Sequence, residues 1–340
     1  MGAAEMVRVL VTGAAGFIGS FVCKKLLESE DVEVLGVDNL NGYYDVSLKD
    51  ARLDMLARAD GSERFRFEKL DIADQAALVR IFEEFKPSIV INLAAQAGVR
   101  YSIENPQAYI DSNLIGFFNV LEACRHFGVD HLIYASSSSV YGDGNSVPYS
   151  VEDKTDSPVS LYAATKKSNE LMAYAYSKLY GIPATGLRFF TVYGPMGRPD
   201  MAYFKFANKI VDGEPIEIYN MGDMERDFTY VDDIVEGISR LLRLAPPKDG
   251  NGASHHVYNI GNSDPVQLLH FVDVLERLLI EEGVVDAPTE HVLLPMQPGD
   301  VHRTFAYTKD LEEAIGYKPR TSIEEGLREF VVWYKEFYGL

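Results

Sequence analysis

The chain is poor in cysteine. Cys23 and Cys124 are the only two, and they fall in different predicted helices. That placement offers neither a disulfide framework nor a metal-type spacing, so no metal is expected. It suits a reducing compartment, and a cytosolic location is the expectation. Long apolar runs are also missing: no stretch of 18 apolar residues occurs, so no membrane-spanning helix is expected. The chain begins almost at once with a predicted strand, Val7–Val11, without the basic, apolar and small-residue segments of a secretory leader. Positive charge is scarce as well. Lys and Arg number 32 against 51 Asp and Glu, a formal charge of −19. So acidic a surface argues against nucleic acid and anionic membrane as partners. An anionic ligand would need a local cluster of arginines and backbone N–H groups to overcome it. Internal repeats and low-complexity tracts are absent.

What is present is ample core material. With 340 residues and 47% apolar content, the chain is long enough for about two domains at ~150 residues each. Apolar, β-branched runs alternate with helical patterns through the first half. Strands are predicted at Val7–Val11, Val32–Val37, Phe65–Leu70, Ile89–Leu93, Leu132–Ala135 and Thr185–Phe190. Helices are predicted near 17–29, 75–85, 107–127 and 161–180. Such alternation predicts a Rossmann-type, doubly wound parallel sheet, the α/β class. After about residue 190, pieces such as Gly194–Pro199 and Pro246–Gly252 break the texture. The expected division is a dinucleotide-binding domain over 1–190 plus about 229–262, and a smaller α/β substrate-binding lobe over about 191–228 and 263–340. The long helices over Asn105–Gly128 and Leu161–Tyr180 supply either a homodimer face or core.

The first strand runs into Thr12-Gly13-Ala14-Ala15-Gly16-Phe17-Ile18-Gly19, and a helix follows. Glycines at that spacing permit a tight turn and close backbone approach, and the helix start, at Phe17 and Ile18, receives a pyrophosphate. Asp38 ends the second strand 19 residues after Gly19, where an acidic residue binds a ribose 2′-hydroxyl. Its charge would repel a 2′-phosphate, and no arginine follows at Asn39 or Leu40, so the expected cofactor is NAD rather than NADP. Asp71-Ile72 closes the third strand. Asp71 either meets adenine or caps the next helix. Leu93-Ala94-Ala95 closes the fourth strand with the small residues that packing on a cofactor needs.

Tyr162 and Lys166 stand at i and i+4 on one helix face. A free tyrosine has a pKa near 10, which a neighbouring ammonium and a nicotinamide cation would lower. Such a phenol can take the proton from a substrate hydroxyl. Tyr174 and Lys178 repeat the spacing about 18 Å further along the helix, where a solvated face is expected. The first pair is favoured by the serines of Ser136-Ser137-Ser138-Ser139-Val140-Tyr141-Gly142, which follow a core strand at its ligand-binding end.

Gly13-x-x-Gly16-x-x-Gly19, Ser137-x-x-Val140-Tyr141-Gly142 and Tyr162-x-x-x-Lys166 together resemble the extended short-chain dehydrogenases. Asp38-Asn39-Leu40-Asn41, the stretch from Ala94 to Ser102, and Arg188-Phe189-Phe190-Thr191 through Gly197-Arg198-Pro199-Asp200-Met201 are more specific, and resemble the UDP-glucuronate 4-epimerases over almost the whole chain. Met196 and Asn92 depart from that pattern, where Trp and His are usual, and so does the segment near Tyr307, where an Asp is common.

The resemblance implies an NAD-dependent C4 epimerase of a UDP-sugar. Ser137 and Tyr162 would contact the reacting hydroxyl. Lys166 would hold the nicotinamide ribose, with Asn113 positioning it through water. Asn39 would lie at the cofactor. Arg198, Thr191, Ser138 and Ser139 would hold the sugar carboxylate, Arg226 the diphosphate, and Gln297 and Asp300 would lie near the nucleotide. Without the resemblance, Arg198 is either a bidentate anion fork or a partner of Asp200. Arg226 pairs equally well with Asp223 or Asp227, and Arg100 either binds phosphate or caps a helix. The rival activities are UDP-glucose 4-epimerase, which usually has Asn at the place of Thr191, and UDP-glucuronate decarboxylase or a 4,6-dehydratase. The last two usually carry Glu, or Asp-Glu, where Ser138 and Ser139 stand. A non-catalytic NAD-sensing scaffold is the alternative outside enzymes.

Overall fold

The computed structural model describes residues 6–143, 146–296 and 302–340. Two compact units emerge. The first comprises residues 1–142, 154–189 and 235–258, and the second 143–153, 190–234 and 259–340.

In chain order the first unit carries β1 (Val7–Thr12), α1 (Phe17–Leu27), β2 (Val32–Asp38), α2 (Ser47–Ala57), β3 (Phe65–Lys69), α3 (Gln75–Phe85) and β4 (Ile89–Asn92). Then follow α4 (Tyr101–Glu104), α5 (Pro106–Tyr109), a π-helical turn (Ile110–Gly116), α6 (Phe117–Phe127), β5 (His131–Ser137), α7 (Leu161–Tyr180) and β6 (Ala184–Phe189). The sheet has seven strands in the order β3-β2-β1-β4-β5-β6 and then His255–Ile260. Every pairing from β1 to β6 is parallel. Order reverses at β1, between β2 and β4, and ligands of such sheets bind beyond the carboxyl ends of the strands there. The central strands β1, β4 and β5 are largely apolar and buried, whereas the edge strand β3 alternates Phe65 and Phe67 with charged residues. Leu10, Val90, Leu132 and Tyr134 meet Phe82, Phe117, Val120 and Leu121 in one buried cluster. Cys23, on α1, and Cys124, on α6, are fully buried free thiols. Burial pushes both thiol pKa values above their ordinary range.

Sequence expectation missed α2. Its core face carries Lys49 and Arg52 beside Leu48 and Leu56, so no apolar stripe marks it. The expected 107–127 helix is three pieces, α5, the π-turn and α6.

The second unit has short strands. Glu225–Tyr230 pairs in parallel with Thr191–Tyr193 and Arg303–Thr304, and antiparallel with Pro265–Gln267. Ile216–Ile218 pairs with His291–Leu293. Aromatic rings fill its core: Tyr203 meets Phe330 edge-on at 4.9 Å, and Phe228 stacks on Phe271 at 4.1 Å. Asp227, fully buried, accepts from the N–H groups of Asn262, Ser263 and Ala306, which ties three segments together. Among the described residues, no helix is long and apolar enough to cross a membrane.

Candidate active site

The loop after β1 is shaped by contact. Gly13 has φ +73°, and a Cβ there would stand 2.8 Å from the Ala94 nitrogen. A Cβ on Gly16 would lie 2.9 Å, and one on Gly19 2.1 Å, from the Gly13 carbonyl oxygen. All three positions therefore require glycine, and the loop closes tightly on the end of β4. The Ser20 N–H makes the bond to Gly16 O at 3.0 Å. Phe17, Ile18 and Gly19 precede it, so their N–H groups lack acceptors within the helix. No side chain caps α1, and no acidic residue lies in its first turn. This cradle fits an anionic pyrophosphate.

Asp38, buried at the end of β2, accepts the Leu40 N–H at 2.8 Å. Asn39 donates to Asp71 at 3.0 Å. Asp71 also accepts the Ala73 N–H, whereas the cap of α3 is Asp74. Of the two sequence readings for Asp71, helix capping is thus corrected: Asp74, three residues on, is placed to reach the first free N–H groups. Ile72 is buried, and a Cβ on Gly116 would meet it at 2.6 Å. The Thr12 hydroxyl donates to Asn92 at 2.8 Å and accepts the Ala94 N–H at 3.1 Å, which fixes the half-buried Leu93-Ala94-Ala95 turn.

Two basic residues unforeseen from sequence lie under this cradle. Lys49 is buried and reaches Asp38 at 3.4 Å and Asn41 at 3.3 Å. Arg52 is fully buried and donates to the Ala15 carbonyl at 3.0 Å and to Tyr44 at 2.6 Å. The available signal was a Lys and an Arg three apart on one face of a short helix.

The catalytic candidates gather at the end of β5. Ser137 accepts the Ser139 N–H at 3.2 Å and donates to the Ser139 hydroxyl at 3.1 Å. Lys166 is buried on α7 and donates to the Ala135 carbonyl, two residues before Ser137, at 2.9 Å. Burial pulls its pKa down to about 8. Tyr162 stands one turn earlier, half-buried, with its ring edge-on to Tyr109. The second pair differs, since Tyr174 and Lys178 are both exposed. Ser160 caps α7 by accepting the Ala163 N–H, which sets the helix start one residue before Tyr162.

Asn113 sits buried in the π-turn. Its side chain accepts the Gln96 N–H at 2.8 Å, and donates to Gln96 O and the Thr165 hydroxyl, each at 3.0 Å. Its carbonyl accepts the Asn169 amide at 2.6 Å. Asn113 thus ties the end of β4 to the helix bearing Lys166. Thr165 and Asn169 were not anticipated, because an intrahelical polar residue gives no sequence signal of its partner.

In the second unit, Thr191 opens its strand half-buried. Arg198 grips Asp200 through two bonds, at 3.0 and 2.5 Å. Arg226 donates to the carbonyls of Glu225 and His302. Gln297 and Asp300 lie outside the described residues. Asp273, Glu276 and His291 place ligand atoms within 4.8 Å of one another, but Glu276 already accepts from Thr289 N and meets the His291 ring, as a helix-to-strand tether would.

The sequence profile of the NAD dependent epimerase/dehydratase family matches residues 9–261. Protein CapI of Staphylococcus aureus is 52% identical, over 97% of this chain and 99% of that protein. The probable UDP-glucuronate 4-epimerase of Rhizobium meliloti (strain 1021) is 48% identical, over 97% and 98%. The crystal structure of UDP-glucuronic acid 4-epimerase from Bacillus cereus, in complex with UDP-glucuronic acid and NAD, superposes with a TM-score of 0.86. It is 33% identical, over 98% of this chain and all of that one.

Proposed function

The chain belongs to the NAD dependent epimerase/dehydratase family, and from that premise we propose that it converts UDP-glucuronate to UDP-galacturonate with NAD as cofactor. The first unit holds NAD through the Gly13–Gly19 loop, Asp38, Asn39, Ile72 and Leu93–Ala95. The second holds the nucleotide sugar, with Arg226 on the diphosphate. The chain works as a homodimer in the cytosol.

The observation that carries this reading is the end of β5, where Ser137 and the carbonyl holding Lys166 lie two residues apart, with Tyr162 one turn from Lys166 on α7. Tyr162 takes the proton of the sugar C4 hydroxyl, and Ser137 holds that hydroxyl in line. Lys166, as an ammonium in a dry site, favours the phenolate of Tyr162. NAD, when bound, supplies the hydride acceptor and donor. After the 4-keto sugar turns over, Tyr162 returns the proton to the oxygen on the opposite face.

The C5 carboxylate is β to that ketone, and β-keto acids lose carbon dioxide when the breaking bond aligns with the carbonyl π system. An epimerase must hold the carboxylate out of that alignment. Arg198 supplies a bidentate fork for it, with Thr191, Ser138 and Ser139 adding hydroxyls. In the structure that fork is taken by Asp200, so the sugar's carboxylate would have to displace Asp200 on binding. Ser138 and Ser139 also bring no carboxyl that could act as an additional acid or base, which favours epimerisation over decarboxylation.

The test is to incubate purified protein, without added reductant, with UDP-glucuronate or with UDP-glucose, and to identify products by nuclear magnetic resonance. Turnover of UDP-glucuronate to UDP-galacturonate is expected, and preference for UDP-glucose would overturn the substrate. Arg198→Met removes charge-assisted bonds worth about 1.5–3 kcal/mol. It should weaken UDP-glucuronate binding and divert product toward a decarboxylated 4-keto pentose. Unchanged affinity and product would leave Arg198 as a partner of Asp200 only.

A further inference from the structure

A buried ion pair joins the elements that bear the reacting groups. Arg188, on β6, donates through Nε to one Glu170 oxygen at 2.8 Å and through a terminal nitrogen to the other at 2.9 Å. Its remaining terminal nitrogen donates to the Tyr141 hydroxyl at 3.0 Å, and its guanidinium lies 4.9 Å over the Tyr141 ring. Glu170 also accepts the Ser136 hydroxyl at 2.7 Å and faces Lys167 at 3.0 Å. Both side chains of the pair are 4% exposed.

The positions matter more than the contacts. Ser136 directly precedes Ser137. Tyr141 ends the 3₁₀ turn that begins at Ser138. Glu170 stands one turn beyond Lys166, on the helix that carries Tyr162. One guanidinium and one carboxylate therefore tie the strand end, the serine turn and the Tyr–Lys helix together, two of them through a fixed, planar fork. Net stability is a poor explanation for such a pair. Desolvation offsets much of the attraction, and apolar residues of similar volume often replace buried pairs without loss.

We infer that Glu170 and Arg188 are positioning residues for proton transfer, which hold Ser137 and the Tyr162–Lys166 pair at one separation by way of Ser136 and Tyr141. This rests on the reading of Ser137, Tyr162 and Lys166 as the reacting groups. Their separation decides the rate, because reacting atoms must approach to near-contact before bonds change, and a displacement of about 1 Å can cost on the order of 100-fold.

The test separates folding from geometry. Glu170→Met and Arg188→Met are made singly and together, and melting temperature, retained NAD, kcat and KM are measured on the UDP-sugar that the wild type turns over. Each single change strands a buried charge and should lower the melting temperature. The double change should recover most of that loss and keep its NAD, yet show kcat lower by about 10- to 100-fold with KM little altered. Wild-type kcat in the folded double variant overturns the inference and leaves the pair a packing feature. Should the double variant not fold, Arg188→Lys decides, since it keeps the charge but cannot hold two oxygens and Tyr141 at once. A lower kcat at constant KM supports positioning, and an unchanged kcat overturns it. Tyr162→Phe runs alongside: wild-type turnover there would sink the underlying reading of the site, whatever the pair does.

Discussion

At the scale of the residue, the two tyrosine–lysine pairs of α7 separate by environment. Lys166 is buried against Ala135 O, while Lys178 lies in solvent. Tyr162→Phe should therefore lower turnover by about two to four orders of magnitude while NAD stays bound. Tyr174→Phe should be nearly silent. A reversed result in steady-state assays would move the chemistry to the other pair. Lys166 also carries a stability penalty with a definite sign. Its pKa falls from 10.5 to about 8 on folding because burial disfavours the ammonium. Below pH 8 the folded and unfolded chains both hold this proton, and the penalty is fully present. Between pH 8 and 10.5 the folded chain releases it first, so the penalty fades as pH rises. The shift corresponds to about 3 kcal/mol, from which a lost hydrogen bond of about 1 kcal/mol must be taken. Lys166→Met should thus melt higher than wild type near pH 7, with the gap closing toward pH 10. A gap that stays constant with pH would rule out this origin.

At the scale of the element, the glycine loop after β1 tolerates little change. A Cβ on Gly19 meets a backbone oxygen at 2.1 Å, and backbone cannot step aside as a side chain can. Gly19→Ala should purify without NAD and lose several kcal/mol of stability, of the order seen for overpacked cores. Gly42→Ala, on the same side of the sheet sequence but with nothing within 4 Å of its Cβ, is the control. Full NAD occupancy in Gly19→Ala, by release and quantification of the dinucleotide, would contradict the packing argument. The core strands were legible because parallel strands covered on both faces are near-continuous apolar runs, as Ile89 to Ile91 and Leu132 to Ala135 show. Glycine spacing and the Tyr–Lys pair were legible for a similar reason, since each follows a strand that announces itself. Helix α2 was hidden because its inward face carries Lys49 and Arg52, and the π-turn because one inserted residue leaves apolar periodicity nearly unchanged. Glu170 and Arg188 were visible as letters, and Arg188 even stood in a quoted motif, but a buried pair 18 residues apart gives no sign of its partner in the sequence.

At the scale of the whole molecule, an excess of 19 negative charges must coexist with an anionic cofactor and with the proposed nucleotide sugar. Four cations of the first unit lie out of solvent. Lys49, Arg52, Lys166 and Arg188 are all buried. Buried charges are screened less by salt than surface ones, so the pairs these four make should persist at high ionic strength. Apolar residues remain exposed on the outer faces of the two long helices: Phe118 on α6, with Leu171 and Leu179 on α7. These faces suit the proposed homodimer. Light scattering should give twice the chain mass, and Leu171→Glu should shift it toward the monomer. A wild-type mass of one chain at micromolar concentration would refute the dimer.

The two buried thiols make the protein its own stopwatch. A thiol reagent needs thiolate and access, and Cys23 and Cys124 offer neither while the core is closed. Modification must wait for an opening that exposes helix α1 or α6, so its rate counts excursions of the native state. Helix α1 begins in the loop proposed to receive the dinucleotide, and anything that binds the native form alone makes such excursions rarer. The sulfur on that helix thereby becomes a clock that the cofactor slows.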